Sequence, residues 1–439
     1  MNREAGKSQP EATGHLYLVG DCEPFGKTLG MPDRAHKPSH ASFNAMLRTH
    51  AMSLRRFCAA NRWILIAFLI LLGAASGCNR GPWTLWDAYS TRFIDGQGRV
   101  VDHTSGDRTT SEGQAYAMFF ALANNDRAHF DKVLQWTQTN LAGGDMSTHL
   151  PVWLWGKTDK GDWKVVDQNP ASDADVWMAY TLVEAGRLWN APTYTNLGRK
   201  MMAMIAKSEV VDLPSFGLLL LPGPAGFQHG QVWTLNPSYM PLFVFQRLAV
   251  VDPAGPWEQI AQNIPRFLEQ SARHGFAMDW VDYFPGDGFY PTTKQPTDNK
   301  ATVSSGGSYD AIRVYLWAGM LDGGQTRARV LNALPAMSVY LGNHDAPPQM
   351  VNDQGIPLAQ DGPVGFSAAM VPYLRAFPDL SRLSAKQTIR MSVQRDPTSG
   401  LYGKDGSYYD QNLALFETGY VQGRFRFGAD GELNVEWTR

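Results

Sequence analysis

At 439 residues and 44% hydrophobic content, the chain can bury a large core, whether as one big domain or as two or three. Its 39 Lys and Arg almost cancel its 41 Asp and Glu, so no basic surplus exists to neutralise a phosphate backbone, and a nucleic-acid partner is disfavoured. The 14 Trp, 16 Tyr and 21 Phe supply flat apolar faces, which suit an aromatic core and equally suit stacking against sugar rings.

In chain order, residues 1–51 are polar and interrupted by Pro and Gly. The apolar run Trp63 to Ala75 follows Arg55, Arg56 and Arg62 and leads into Ser76 and Gly77, the layout of an export signal. Its 13 residues fall short of the ~20 needed for a helix to cross a bilayer. Cys78 after Ala-Ser-Gly resembles a lipoprotein cleavage box, although Ala75 stands where such boxes more often carry Leu. Met46 and Met52 offer alternative starts. The expectation is therefore a mis-assigned extension at 1–51, a signal peptide at 52–78 and a single domain at 79–439, exported to the periplasm or beyond and open to lipid anchoring at Cys78.

Cys22, Cys58 and Cys78 are the three cysteines, and all precede the body, so neither a disulfide framework nor a Cys-type zinc site can be built there. His103, His149 and His229 show no metal or triad spacing and read as loop residues. The expectation is a mechanism without metal or cofactor.

From Pro82 onward helical periodicity dominates. Ala115, Met118, Phe119 and Leu122 share one face, as do Val176, Ala179, Tyr180 and Val183. Further helices are expected near Pro82, Asp126, Ala191, Pro237, Trp257, Asp310, Gln325, Phe366 and Tyr408, with one β-ribbon over Val152 to Val166. About a dozen helices without a dividing linker suggest an all-α ring of helix hairpins.

Three carboxylates stand at three expected helix starts. Glu112 lies in Thr109-Thr110-Ser111-Glu112-Gly113-Gln114, where Thr109-x-x-Glu112 also fits a capping box, the stronger reading on spacing alone. Ser172-x-x-Asp175 is another possible cap pair, which leaves Asp173 without an obvious structural task. Asp310 ends a Gly- and Ser-rich loop and either caps the next helix or faces an interior, because that helix is apolar on most sides. In a ring of hairpins, alternate helix starts meet at one end. Hydrolysis of a glycosidic bond needs such a meeting, with one carboxyl protonating the leaving oxygen and another activating water. A helix N-terminus favours the ionised form, so Glu112 could serve as an acid only if burial and the charges of Asp173 and Asp310 raise its pKa.

Together these segments resemble glycoside hydrolase family 8, and within it the exported cellulases associated with bacterial cellulose synthase. The resemblance rests on residues 109–114, 153–157 (Trp-Leu-Trp-Gly-Lys), 172–177, 236–239 (Asn-Pro-Ser-Tyr), 308–315, 362–370 and 424–427, in order from about Trp83 to the C-terminus. It implies an (α/α)6 barrel, endo cleavage of β-1,4-glucan with inversion, and association with the cellulose synthase complex. By matching position Glu112 is the implied acid, Asp310 the base and Asp173 the carboxylate that holds the sugar. Tyr239, Arg313 and Asn236 are implied substrate contacts, and Trp155, Trp177 and Trp233 are the expected sugar platforms. Ala174 stands where the family often has Gly. The competing readings are a hydrolase of xylan or another β-glycan, a polysaccharide lyase, a terpene-cyclase-like barrel and a non-catalytic glucan-binding subunit. The Glu112, Asp173 and Asp310 set favours hydrolysis of a neutral polymer over the lyase and the binding subunit, and the export signal conflicts with the cyclase.

Overall fold

Six helices are buried around nearly their whole circumference, polar side chains included, and such helices have to be enclosed by others. The computed structural model describes residues 81–292, 306–358 and 360–438; the expected extension and export segment, with Cys78, lie outside the described residues. In chain order the helices are α1 (Thr84–Phe93), α2 (Ser111–Ala123), α3 (Arg127–Leu141), α4 (Ser172–Leu188), α5 (Pro192–Ser208), α6 (Leu242–Val251) and α7 (Trp257–Ser271). They continue with α8 (Ala311–Met320), α9 (Gln325–Asn332), α10 (Pro335–Asn343), α11 (Val364–Arg375), α12 (Ser381–Val393) and α13 (Tyr408–Val421).

The enclosed helices α2, α4, α6, α8, α11 and α13 form an inner ring, closed where α13 returns to α2. Each has an outer partner: α3, α5, α7, α9 and α12 follow their inner helices, and α1 covers α13. This is an (α/α)6 barrel. The outer helices are one-sided, as in α7, where Trp257, Ile260, Ala261, Ile264, Phe267 and Leu268 face inward. Aromatic rings fill the axis, with Trp177 5.3 Å from Trp317 and from Phe416, and Phe119 5.0 Å from Trp177. Trp177 is only 1% exposed, so the expected sugar platform is a core residue. Gly319 lets α8 approach α11 closely, since a Cβ there would strike the backbone of Pro372 and Tyr373.

Two helices were not legible as periodic segments. In α12 the inward positions are Ser384, Gln387 and Met391, and in α10 only Met337 and Leu341 are buried, so neither shows an apolar stripe. The start expected near Pro237 is a single 3-10 turn, Pro237–Tyr239, with α6 beginning five residues later.

The expected β-ribbon is present as β2 (Val152–Lys157) antiparallel to β3 (Trp163–Pro170), with β1 (Thr109–Thr110) added at its edge. Further strands were not foreseen. β4 (Val210–Leu213) and β5 (Gly217–Leu220) form a hairpin, and β6 (Gln228–His229), β7 (Val232–Leu235), β8 (Val281–Phe284) and β9 (Gly288–Pro291) form a meander. The C-terminal hairpin Phe425–Phe427 with Leu433–Val435 is tied to the barrel by Glu184 of α4. The fully buried Glu184 accepts from Arg247 Nε of α6 at 2.6 Å and from the Leu433 backbone N–H at 2.9 Å.

Glu184→Ala would strand Arg247 without its buried partner. It is expected to lower the unfolding free energy by about 3–5 kcal/mol, read from urea denaturation followed by circular dichroism.

Candidate active site

Every residue of α2 is buried except Glu112, which is 21% exposed at its side chain. The capping-box reading fails because the cap is Thr110, whose Oγ1 accepts from the Gly113 N–H at 3.2 Å. Thr109 turns inward instead, donating to the Val100 carbonyl at 2.7 Å and accepting from Arg99 Nε at 2.9 Å. Gly113 leaves room for the Tyr408 hydroxyl to pack beside this turn.

A similar division holds at α8. Asp310 occupies the cap position yet makes no capping bond. Asp279, 31 residues earlier in the numbering, does that work: its Oδ1 accepts from the N–H groups of Ser308 at 2.8 Å and Ala311 at 2.7 Å. At α4, Ser172 bonds the Leu221 carbonyl at 2.6 Å and forms no cap pair with Asp175. Asp173 sits in the first turn, its Oδ1 accepting from the Ala174 N–H at 2.7 Å.

The three carboxylates converge on Arg313, whose side chain is 2% exposed. Its Nη1 donates to Glu112 Oε2, to Asp173 Oδ2 at 3.1 Å and toward the Tyr116 hydroxyl at 3.1 Å, while Nη2 donates to Asp310 Oδ1 at 2.6 Å. The Tyr239 ring lies 5.6 Å from the guanidinium carbon.

One cation cannot neutralise three carboxylates in a place poor in water, so at least one of them favours its proton. Burial raises the Glu112 carboxyl to about 7; Arg313 opposes this, Asp173 and Asp310 add to it, and Arg108 opposes it again. Asp173 is also raised, first by burial. Asp279 is raised to about 7 by burial and then by the charge of Asp310. The N-terminal dipole that should favour ionised Glu112 is therefore outweighed by enclosure and like charge.

Glu112, Asp173, Asp310, Arg313 and Tyr239 line a cavity of about 270 Å³, walled further by Asp102, Arg108, Trp153, Tyr408 and Tyr409. Trp155 is not in its wall. Trp155 packs on Trp136 and stacks on Trp163 at 5.4 Å, with Arg99 over it at 4.5 Å. Strand alternation would place Trp153 and Trp155 alike, but the β2–β3 register shifts on both sides of Leu154, and Trp153 faces the cavity instead. Trp233 is 5% exposed and packed near Tyr283, so it too is no platform. Asn236 is buried; its Oδ1 accepts from Ser238 N–H at 3.0 Å and Ser238 Oγ at 2.7 Å, so it shapes the turn that presents Tyr239 and does not line the cavity. Asp279, Arg108, Tyr408 and Tyr409 were missed, because each enters from a separate segment with no local motif. Among the described residues no three His, Cys, Asp or Glu side chains are placed to hold a metal ion.

A helical barrel with an acid cluster held round one guanidinium at the inner helix starts defines a glycoside hydrolase. The family model described as "Glycosyl hydrolases family 8" matches residues 58–423, and the chain belongs to that family. It is 44% identical over 391 residues to an endoglucanase of Xanthomonas axonopodis pv. citri, covering 88% of this chain and 98% of the relative. An endoglucanase of Escherichia coli K12 is 40% identical over 374 residues, covering 85% and 96%. Among solved structures, an endo-1,4-D-glucanase from Vibrio fischeri ES114 superposes with a TM-score of 0.72 at 35% identity, covering 81% of this chain and all of that one. A family 8 endoglucanase from Klebsiella pneumoniae gives 0.62 at 25% identity, covering 77% and 99%.

Asp279→Ala should leave the start of α8 uncapped and allow Asp310 to turn back onto it. A stability loss of about 1–2 kcal/mol is expected, measured by urea denaturation.

Proposed function

We propose that this glycoside hydrolase is an endo-1,4-β-glucanase that cleaves β-1,4-glucan with inversion, Glu112 acting as general acid and Asp310 as general base. The observation that carries the reading is the single guanidinium of Arg313 shared by Glu112, Asp173 and Asp310 at one cavity. Glu112, raised to about 7, holds its proton in mildly acidic solution and can pass it to the leaving glycosidic oxygen. Asp310 is paired at 2.6 Å with Arg313 Nη2 and, on this proposal, is the group that draws a proton from water. Asp173 is placed to hold hydroxyls of the sugar at the cleavage point, and Tyr239 stands beside it. Trp153 and Tyr409 on the cavity wall, with Tyr309 5.5 Å from Tyr409, offer apolar faces to neighbouring sugar rings. The endoglucanase names of the relatives support β-1,4-glucan as substrate.

The physiological setting is part of the same proposal. Export by the 63–75 segment brings the enzyme to the periplasm, where it works on glucan in association with the cellulose synthase complex. Cell fractionation, and the yield and chain length of exported cellulose in a deletion strain, test this.

Glu112→Gln is expected to lower kcat on carboxymethylcellulose by about 10²–10⁴-fold while oligosaccharide binding survives. Full activity would remove Glu112 from the acid role. Rapid loss of viscosity relative to reducing ends checks endo cleavage, and NMR of the first product anomer checks inversion.

The pH dependence has a definite sign. The acid must be protonated, so the basic limb of kcat/KM should fall near pH 7. Arg108 holds the Glu112 pKa down, so Arg108→Met should move that limb to higher pH.

A further inference from the structure

Two residues beyond Asp173, α4 carries a second carboxylate that points away from the cavity. Asp175 is 0% exposed, and so is Glu209, which follows the end of α5. None of their four carboxylate oxygens receives a hydrogen bond from an N–H or O–H group of the described residues. Buried acids without donors are costly, and two ionised ones side by side would also repel. The bond open to them is to each other, and it needs a proton.

We propose that Asp175 and Glu209 hold one proton between them, and that this acid pair is a positioning device for Asp173. The backbone around it closes a loop. The Glu209 carbonyl accepts from the Leu221 N–H at 2.8 Å, the Leu221 carbonyl accepts from Ser172 Oγ at 2.6 Å, and the Pro222 carbonyl accepts from the Ser172 N–H at 3.0 Å. The first turn of α4 is thus stitched to the end of α5 and to the β4–β5 hairpin on one side, and Asp173 meets Arg313 on the other. α4 has no side-chain cap at its start, so the acid pair joins Ser172 Oγ as a side-chain tie on the outer side of this turn.

The electrostatics agree with the geometry. Asp175 is raised well above the usual carboxylate range by burial, then by Glu209 and Asp173. Glu209 is raised to about 8 by burial, with its hydrogen bond to Asp175 opposing and the charge of Asp173 adding. Asp173 is the charged group outside the pair that acts on it, and it favours retention of the proton. The folded pKa lies above the unfolded value, so the stabilisation is complete at low pH and is lost as pH rises through about 8.

The role given to Asp173 rests on the proposed hydrolytic function, whereas a stability measurement on the pair does not. Melting temperatures of the purified wild-type protein and Glu209→Gln are compared from pH 6 to pH 9.5. The amide donates to Asp175 without a titrating proton, so the variant should gain on wild type by about 2 °C or more across that range. Parallel curves would overturn the shared proton. For the positioning role, kcat and KM are measured near pH 6, where Glu209→Gln should retain kcat within about twofold and Asp175→Ala should lose about tenfold or more. An equal kcat loss in both variants would overturn that role, even with the stability result intact; the Gln variant keeps the test valid where Asp175→Ala does not fold.

Discussion

The guanidinium of Arg313 is nearly sealed from solvent, and the structure of the site follows from that enclosure. A buried cation needs anions, and three carboxylates from three inner helices provide them. Each carboxylate in turn would be unfavourable without the cation. The starts of α2, α4 and α8 are therefore locked to a common point by mutual need, and the geometry of one acid cannot change without disturbing the other two. Burial first, and then the charges of Asp173 and Asp310, give Glu112 a proton affinity near neutrality against the opposing charge of Arg313.

Arg313 could not hold these groups if they were occupied elsewhere. A carboxylate at a helix start is drawn to the free backbone N–H groups of its own first turn. Here other residues satisfy those donors. Thr110 serves α2 and Asp279 serves α8, which leaves Glu112 and Asp310 to face the cavity. Capping and chemistry occupy adjacent positions but different side chains.

Helices α2 and α4 were legible in the sequence from apolar residues at helical spacing and α8 from apolar residues on most of its sides, and the three acids stood out at their starts. Local spacing also misled. It assigned Glu112 to a cap that Thr110 makes, and it could not find Asp279, which reaches the start of α8 from just before β8. Helices α10 and α12 present few apolar side chains inward and gave no periodic signal. Aromatic content pointed to Trp155, Trp177 and Trp233, yet burial gives Trp177 and Trp233 to packing, and Trp155 stacks on Trp163 outside the cavity wall. Trp153 stands two residues from Trp155, hidden by an irregular register that no composition reveals.

Helix α2 exposes a single side chain along its whole length, and that side chain is Glu112. Sliding the acid by one position to Gly113 would drive its side chain into Tyr408, and an acid further along the helix would displace core. The reactive end of the barrel thus has almost no freedom to vary on its helices. Diversification of such a scaffold, natural or engineered, has to come through the segments that wall the cavity from outside the ring, such as the β2–β3 ribbon with Trp153 and the stretch bearing Asp102 and Arg108.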